Sequence, residues 1–326
     1  MTAGSRPPRR DTSPVITVPA TTDHGGDGPA VARRLGVPVD RIVDLSANLN
    51  PFAPPIDEVL ARHIGRVRHY PHPDELDAAT GHLATAIGVG PERLVLTNGS
   101  AEAIALVARH VGSGLVVEPE FATYRRHLVD IDDPTAGRWR SNPNSPLGTL
   151  APADAAAAVW DEAYWPMTCG TWTRGDDTAW RIGSFTKLWA CPGLRLGYAI
   201  APTIDDAAAI AHDQPEWSVG PVALAALGDL LDQEDLTATA ARLGEHRGRF
   251  ADELTALGYR VRPGVAPWLL LDGAAGLREL LVEHRVVVRD CTSYGLPGTH
   301  RLALPAPAAL DQVLAALAAV RPELPG

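Results

Sequence analysis

Lys187 is the only lysine in a chain of 326 residues, and it lies in a stretch whose residue types could do chemistry. The other 28 basic residues are arginines, whose guanidinium groups stay protonated at any working pH. A lysine retained where arginine serves everywhere else indicates a task that arginine cannot perform. A desolvated lysine amine can lose its proton and attack a carbonyl. A surface lysine without a function is the alternative, and the neighbouring residues decide between the two.

The residues around Lys187 are suited to holding a phosphate. Ser184 and Thr186 supply hydroxyls just before the lysine, and Arg195 supplies a guanidinium eight residues after it. Arginine forms bidentate, charge-assisted hydrogen bonds with phosphate oxygens. A carbonyl-reactive amine beside a phosphate cradle is what pyridoxal phosphate requires, so the stretch predicts this cofactor.

A second phosphate-binding feature is predicted at Gly99 and Ser100. A β-rich run precedes these two residues, and a helical pattern follows them. A strand, a glycine turn and a helix N-terminus form an anion site, because the free N–H groups and the helix dipole both favour negative charge. A Gly-Ser turn alone is weak evidence, but together with Lys187 and Arg195 it completes a phosphate cup.

Asp161 follows an apolar run, residues 155–160, that has the pattern of a buried strand. An acid just past the carboxyl end of such a strand lies where α/β sheets hold ligands. A carboxylate there could keep a pyridine nitrogen protonated, which makes the cofactor ring an electron sink. A solvated acid at the end of a strand is the alternative reading of the same pattern.

Taken in order, these motifs resemble those of the class I and II aminotransferase-like enzymes, which use pyridoxal phosphate. The lysine lies in the sequence SFTKLWACPGLRLGY and the acid in DEAY. The most similar branch holds threonine-phosphate decarboxylases and histidinol-phosphate aminotransferases, and the resemblance runs from His24 to Leu304. It implies an α/β fold of the aspartate-aminotransferase type (pyridoxal-phosphate fold type I). Such a fold has a mostly parallel central sheet in a large domain and a small α/β domain.

The resemblance also implies how the chain is divided. The predicted parts are a disordered leader (1–20), an N-terminal arm joining the small domain (21–45), a large cofactor-binding domain (46–212) and a small C-terminal domain (213–326). Short strands alternating with helices favour a second α/β unit in the last part. The region 125–160 is shorter than in similar enzymes, which predicts that an edge strand or helix is trimmed.

The resemblance assigns further residues to the cofactor. Phe121 matches the aromatic residue that stacks on the pyridine ring, and Tyr164 matches a tyrosine that bonds the phenolic oxygen. Tyr70 matches a tyrosine that reaches the cofactor phosphate of a partner subunit, so a homodimer is implied. Ser145 departs from the family pattern, because it replaces an asparagine that donates to the phenolic oxygen. That role therefore passes to Ser145 or is lost.

Substrate binding is assigned by the same resemblance to His24, Asn48, Arg289 and Arg301. His24 and Arg289 match residues near the substrate phosphate in the decarboxylase branch, Asn48 borders the substrate, and Arg301 clamps its α-carboxylate. The expected substrate is a small amino-acid phosphate. The first hypothesis is decarboxylation of L-threonine O-3-phosphate, a step toward cobalamin. The alternatives are an aminotransferase of the histidinol-phosphate type and a shortened, non-catalytic relative that binds the cofactor.

Composition argues against other classes of protein. The net charge is −10 and no basic stripe is present, so a nucleic-acid partner is not expected. No apolar run approaches the ~20 residues of a membrane helix. The three cysteines are far apart and odd in number, which argues against a disulfide framework and a metal cluster. The first residues lack the apolar segment of a secretory signal, so a cytoplasmic location is expected.

Overall fold

The computed structural model describes residues 25–324, so the predicted leader and His24 lie outside the described residues. Within these residues the chain forms twelve α-helices and twelve β-strands. The helices are α1 (Gly28–Leu35), α2 (Ile56–His63), α3 (Pro73–Ile87), α4 (Gly99–Val111), α5 (Thr123–His127), α6 (Trp165–Cys169), α7 (Phe185–Leu188), α8 (Ile204–Asp213), α9 (Pro221–Asp232), α10 (Leu236–Ala256), α11 (Leu277–Glu283) and α12 (Leu310–Val320). The strands are β1 (Val43–Asp44), β2 (Leu94–Asn98), β3 (Leu115–Val116), β4 (Arg138–Ser141), β5 (Val159–Asp161), β6 (Trp180–Ser184), β7 (Leu196–Ile200), β8 (Arg260–Arg262), β9 (Trp268–Asp272), β10 (Val286–Val287), β11 (Arg289–Asp290) and β12 (His300–Ala303). None of the helices in this part of the chain is both long and apolar enough to cross a membrane.

The central sheet has six strands in the order β2-β7-β6-β5-β4-β3. β7 pairs antiparallel with β2 and β6, whereas β3, β4, β5 and β6 pair in parallel. The mostly parallel central sheet that was predicted is therefore confirmed. In such a sheet the carboxyl ends of the parallel strands lie along one edge, where α/β proteins hold their ligands.

Both faces of this sheet are covered by apolar side chains. In β2, Leu94 and Leu96 belong to one buried cluster and Val95 belongs to the other. In β7, Tyr198 and Ala199 divide between the two clusters in the same way. Successive side chains of a strand point to opposite faces, so a strand buried on both sides is apolar throughout. This burial holds the strand ends, and the residues that follow them, in fixed positions.

The β3 edge of the sheet lies beside part of the region 125–160, which was predicted to be shortened. Beyond β3 the chain forms two isolated bridges in the described residues, from Ser113 to Asp130 and from Leu115 to Asp132. The two bridges have opposite directions, so they do not extend into a ladder. The loss of an edge strand or helix in the region 125–160 stays a prediction.

A second, antiparallel sheet has the order β11-β12-β9-β8, and β1 pairs in parallel with β10 beside it. The backbone of Leu45 joins the two, because its N–H donates to Val287 O at 2.7 Å and its carbonyl accepts from Ala303 N at 2.8 Å. The N-terminal arm is thus built into the C-terminal sheet region. In contrast, α9 packs against α2 and α3, although it falls within the predicted small domain. The domain boundaries stay a prediction.

The start of the arm is held by buried polar contacts. Asp27 Oδ2 lies 3.1 Å from Arg278 Nη2, and both side chains are almost completely buried. Gly28 N donates to Asp44 Oδ2 at 2.8 Å, and Ser46 Oγ donates to Asp44 Oδ1 at 2.6 Å. A Cβ atom on Gly28 would lie 2.8 Å from Asp44 Oδ2, so glycine is required for this approach. These contacts fix the arm against the loop that follows β1.

The N-terminus of α3 is closed by a histidine side chain. The helix α3 begins at Pro73, and the N-cap is His72, whose Nδ1 accepts from Asp74 N at 3.2 Å. Glu75 Oε2 accepts in return from His72 N at 3.1 Å, which completes a capping box. Proline is favoured at the first helical position, since its missing N–H would have no helical partner there.

Candidate active site

The ends of neighbouring strands bring the predicted site residues to one edge of the central sheet. β5 ends at Asp161, and β6 ends at Ser184, which leads directly into α7 and Lys187. β2, which runs parallel to these strands, ends at Asn98 and leads into α4. β7 runs in the opposite direction and begins at the same edge. The sheet therefore assembles residues that are far apart in the chain, such as Asn98 and Lys187, which 89 positions separate.

Lys187 is held in place by the loop that follows β1. Its Nζ donates to Ala47 O at 2.7 Å. Burial, aided by the nearby Arg301 charge, lowers the pKa of the Lys187 amine to about 8. Asn50 fixes the short helix itself, because its N–H donates to Lys187 O at 3.0 Å and its Nδ2 donates to Leu188 O at 2.9 Å. A substantial fraction of this amine is neutral near physiological pH, as attack on a carbonyl requires.

Asp161 is a buried carboxylate with two hydrogen-bond donors. Tyr124 Oη donates to its Oδ2 at 2.8 Å, and Ala163 N donates to its Oδ1 at 3.0 Å. Burial raises the pKa of Asp161, and these two bonds act in the opposite direction. A cation beside it, such as a protonated pyridine nitrogen, would favour the ionised form further. Tyr124 was not among the predicted site residues, and its position three residues after Phe121 was the available signal.

The predicted phosphate cup is assembled. Gly99 begins α4 with a φ of 74°, and a Cβ atom there would lie 2.5 Å from Arg195 Nη2. Arg195 Nη2 also donates to Asn98 O at 3.3 Å. A Cβ atom on Gly197 would lie 2.5 Å from Ser100 N. Both glycines are needed so that a guanidinium and a strand can approach the N-terminus of a 13-residue helix.

The two hydroxyl residues before the lysine lie beside this cup. Ser184 pairs with Gly197 between β6 and β7, and Gly197 in turn lies against Ser100. Ser184 is also the N-cap residue of α7, and Thr186 is buried in that helix. The structure therefore brings Gly99, Ser100, Ser184 and Arg195 together, with Thr186 two residues after Ser184.

Phe121 and Tyr70 lie in different surroundings. Phe121 is half-buried, and its ring contacts that of Tyr124 edge to face, with 5.8 Å between the centroids. It is thus next to the tyrosine that bonds Asp161. Tyr70 is 75% exposed, and its ring packs on Trp217 with 4.6 Å between centroids. Its role in a partner subunit's site stays a prediction.

Asn48 and Tyr164 contact each other next to an aromatic wall. Asn48 Nδ2 lies 3.5 Å from Tyr164 Oη, and the Tyr164 ring meets Trp268 edge to face at 4.7 Å. Burial raises the pKa of Tyr164, so that its phenol stays protonated at neutral pH. Asn48 is fully buried, and its Oδ1 has no hydrogen-bond partner within residues 25–324. A buried acceptor without a donor is costly, and a ligand amine or hydroxyl would satisfy it.

Arg289 and Arg301 form a pair of buried cations. They are direct partners across β11 and β12, with side chains 1% and 4% exposed. Arg289 Nη2 donates to Ser293 Oγ at 3.1 Å, and Arg301 Nη1 donates to Ser145 Oγ at 3.3 Å. Among the described residues neither arginine has an ion-pair partner, and both retain guanidinium nitrogens without a hydrogen bond. The pair is therefore a candidate binding site for anions.

Ser145 contacts a predicted substrate-binding residue. Its hydroxyl accepts from Arg301, the predicted carboxylate clamp. A serine side chain is one atom shorter than asparagine, and here it ends against the guanidinium. Bonding to the phenolic oxygen stays a prediction, whereas contact with the clamp is observed.

These residues fit pyridoxal phosphate. Lys187 offers an amine with a lowered pKa, Asp161 offers a buried carboxylate for the ring nitrogen, and the N-terminus of α4 with Arg195 offers a phosphate site. Within the described residues, no group of three or more histidine, cysteine or acidic side chains could hold a metal ion.

Comparison with known proteins supports this interpretation. The model of the family "Aminotransferase class I and II" matches residues 130–317. A threonine-phosphate decarboxylase from Salmonella typhimurium is 30% identical, over 90% of this chain and 95% of its own. A histidinol-phosphate aminotransferase from Rhodospirillum centenum is 29% identical, over 86% of this chain and 91% of its own.

Two solved structures share the fold. The histidinol-phosphate aminotransferase from Sinorhizobium meliloti, in complex with pyridoxal-5'-phosphate, has a TM-score of 0.77 at 20% identity, over 95% of this chain and 97% of that one. An aspartate aminotransferase double mutant from Thermus thermophilus has a TM-score of 0.69 at 23% identity, over 92% and 97%. The expected aspartate-aminotransferase-like fold is thereby confirmed. The chain belongs to the aminotransferase class I and II family, and it is an enzyme whose cofactor is pyridoxal phosphate.

Proposed function

We propose that the enzyme decarboxylates L-threonine O-3-phosphate. The observation that carries this proposal is the pair of buried arginines, Arg289 and Arg301, without ion-pair partners in the described residues. Phosphothreonine has a carboxylate and a phosphate, so it supplies one anionic group to each guanidinium. The relative from Salmonella typhimurium, a threonine-phosphate decarboxylase, supports the same substrate.

The energetics favour a substrate with two anionic groups. A buried charge without a counter-charge is strongly destabilising, and two like charges side by side add repulsion. A ligand that neutralises both arginines offsets more of this free energy than a ligand that neutralises one. Each charge-assisted hydrogen bond contributes ~1.5–3 kcal/mol. A plain amino acid would leave Arg289 unpaired, so we expect it to bind more weakly.

Asp161, Tyr124 and Lys187 have different roles in the proposed reaction. Pyridoxal phosphate, when bound, withdraws electrons from a bond at the substrate Cα. Asp161 would accept the hydrogen bond of a protonated ring nitrogen, and Tyr124 holds that carboxylate in place. Lys187, with a pKa of about 8, can both accept and donate a proton at neutral pH.

The choice of the bond that breaks depends on how the substrate is oriented. With the cofactor bound, the residues that anchor the substrate would decide which bond at Cα is aligned for cleavage. Arg301 alone leaves rotation about the Cα–N bond free, whereas Arg301 together with Arg289 fixes it. When the Cα–carboxylate bond breaks, carbon dioxide leaves and Cα takes up a proton. Lys187 is the residue that we assign to deliver this proton.

Transamination of histidinol phosphate is the second candidate. The relative from Rhodospirillum centenum supports it at nearly the same identity. Histidinol phosphate, however, has a phosphate and no carboxylate, so Arg301 would have no anion in that half of the reaction. A non-catalytic role is disfavoured, because Lys187, Asp161 and the phosphate cup are all assembled.

The test is a product analysis with the holoenzyme. L-threonine O-3-phosphate should release one carbon dioxide per molecule consumed, with an amine phosphate as the product found by mass spectrometry. L-threonine is the matched substrate control, and Lys187→Ala is the inactive enzyme control. Transfer of the amino group to a 2-oxo acid without release of carbon dioxide would make the enzyme an aminotransferase.

We also propose a homodimer. Tyr70 and Trp217 form an exposed aromatic pair, 75% and 57% exposed, which a partner subunit would cover. Gln214 and Ser218, on either side of Trp217, both donate to Glu102 in the first turn of α4. The exposed pair is thus linked to the helix that forms the phosphate cup.

A further inference from the structure

Glu120 is a buried carboxyl group near the site, and none of the cofactor or substrate contacts described above involves it. It is 2% exposed and directly precedes Phe121. Its Oε2 accepts two hydrogen bonds from Ser141, one from the backbone N–H at 3.0 Å and one from the hydroxyl at 2.5 Å. Its Oε1 has no hydrogen-bond partner within residues 25–324. A carboxyl group buried in this way needs a reason, because its desolvation is costly.

The hydrogen bonds continue from Ser141 toward the substrate site. Ser141 Oγ accepts from Ser145 N at 2.8 Å. Ser145 Oγ in turn accepts from Arg301 Nη1 at 3.3 Å. A connected path thus joins Glu120 to the predicted carboxylate clamp through two serines, although 181 positions separate Glu120 from Arg301 in the chain.

The direction of each bond follows from the chemistry of the hydroxyl group. A serine hydroxyl has one hydrogen to donate and two lone pairs that accept. Because Ser141 donates its hydrogen to Glu120, its lone pairs are left for the N–H of Ser145. Without an acceptor at Glu120, the hydroxyl would lose this bond and could turn toward Tyr124, its other side-chain neighbour, and the buried N–H of Ser141 would lose its partner. The turn that carries Ser145 would then lose the anchor that holds the backbone N–H of Ser145 itself.

We propose that Glu120 is a positioning residue that holds Arg301 in place for the substrate carboxylate, acting through Ser141 and Ser145. This inference rests on the assignment of Arg301 to the carboxylate in the proposed function. In this role Glu120 acts as a hydrogen-bond acceptor, since its Oε2 receives both bonds from Ser141. Burial raises the pKa of Glu120 to about 7, and the bonds from Ser141 oppose that rise. A carboxyl group protonated on Oε1 still accepts both bonds at Oε2.

Two variants of Glu120 test whether it acts as a hydrogen-bond acceptor. Glu120→Gln keeps a carbonyl oxygen at the position of Oε2, whereas Glu120→Leu keeps similar bulk and has no acceptor. Glu283→Gln, at an exposed position at the end of α11, is the surface control. The measured quantities are the KM and kcat for L-threonine O-3-phosphate and the Kd of the decarboxylated product, which has the phosphate and lacks the carboxylate.

The proposal predicts weaker binding only for the ligand that carries the α-carboxylate. Glu120→Leu should raise the KM for L-threonine O-3-phosphate by roughly 10-fold, as expected for a lost hydrogen bond in the clamp, with the Kd of the product within about twofold of the wild type. Glu120→Gln should restore the KM to within about threefold of the wild-type value. Equal weakening of both ligands, or a wild-type KM in Glu120→Leu, would overturn the proposal.

Two further measurements distinguish a variant that fails to fold from a variant that folds but binds the substrate weakly. The absorbance of the bound cofactor shows whether each variant is a folded holoenzyme. If Glu120→Leu does not retain the cofactor, Ser141→Ala removes the hydroxyl alone, and the same contrast between the two ligands supports or overturns the proposal. If the wild type does not bind L-threonine O-3-phosphate, the proposed function fails. The role of Glu120 is then decided with L-glutamate and its decarboxylated analogue, 4-aminobutyrate.

Discussion

Arg289 and Arg301 lie directly opposite each other on the neighbouring antiparallel strands β11 and β12. Side chains at opposed positions point to the same face of a sheet, with about 4.5–5.5 Å between Cβ atoms. Both side chains are buried without an ion-pair partner in the described residues, and a buried charge that is not paired is costly. The arrangement is best explained by a ligand with two negative groups. A single anion would neutralise only part of it.

Replacing each arginine should therefore affect different ligands. Arg289→Ala should raise the KM for L-threonine O-3-phosphate by about 10–100-fold, since charge-assisted bonds to the phosphate are lost. Its effect on L-threonine should be within about threefold, because that ligand has no phosphate. Arg301→Ala should weaken both ligands. Steady-state kinetics and ligand titrations measure these effects, and equal losses of both ligands in Arg289→Ala would contradict the assignment.

Lys187 should be the residue that binds the cofactor covalently. Borohydride reduction of the holoenzyme should fix a pyridoxyl group on this side chain, and peptide mapping should locate it. Because the pKa of Lys187 is about 8, the neutral amine becomes more abundant as the pH rises. Capture of the cofactor by the apoenzyme should therefore accelerate as the pH rises to 8 and level off above it. Lys187→Arg should keep the fold and lose the label, whereas a label on the N-terminal amine would refute the assignment.

Asp161 should be essential, and Tyr124 should be a supporting residue. Asp161→Asn removes the charge that holds the ring nitrogen protonated, so turnover should fall by more than ~100-fold. Tyr124→Phe removes one of the two bonds to this carboxylate and should cost roughly 10-fold, since Ala163 N still donates. The absorbance of the bound cofactor and kcat are the measurements. Near-normal turnover of Asp161→Asn would show that another group performs this task.

Tyr70 should act in the site of a partner subunit. Lys187→Ala and Tyr70→Ala homodimers should each have little activity. In a mixed dimer of these two chains, one site combines both defects and the other combines wild-type Lys187 with wild-type Tyr70. Mixing after mild dissociation should therefore restore activity. Activity that stays at the level of the separate variants would place Tyr70 in the site of its own chain, or outside any site.

The buried pair Asp27–Arg278 should matter far more for stability than an exposed pair. Asp27→Asn leaves Arg278 as a buried charge with less compensation, so the free energy of unfolding should fall by about 3–5 kcal/mol. Arg62→Ala is the control, since Arg62 and Asp229 are 55% and 38% exposed and such pairs contribute less than ~1 kcal/mol. Denaturant unfolding of the two holoenzymes gives both values. Equal losses would mean that the buried pair contributes no more than the exposed one.

The parts of the site that could be predicted from sequence are those formed by neighbours in the chain. Lys187 with Ser184 and Thr186, and Gly99 with Ser100, lie within single strand–helix connections, and their residue types indicate phosphate binding. The phosphate cup was predicted because both of its segments carry such residue types, whereas contacts between segments without them could not be predicted. Tyr124 reaches Asp161 across 37 positions, and Arg301 reaches Ser145 across 156. Neither contact is indicated by a pattern in the local sequence, because each depends on how the sheets bring distant segments together.

The pairing of β1 with β10 has a consequence for how the enzyme is made. The loop that begins at Leu45 holds Lys187 through Ala47, and Leu45 itself is held by Val287 and Ala303. A nascent chain can therefore form most of the central sheet before the loop that holds Lys187 is anchored by Val287 and Ala303. Contacts between such distant segments close late and slowly in folding. We expect the nascent chain to bind pyridoxal phosphate only after residue 303 has left the ribosome, so that chains stalled earlier would be folded in part and without cofactor.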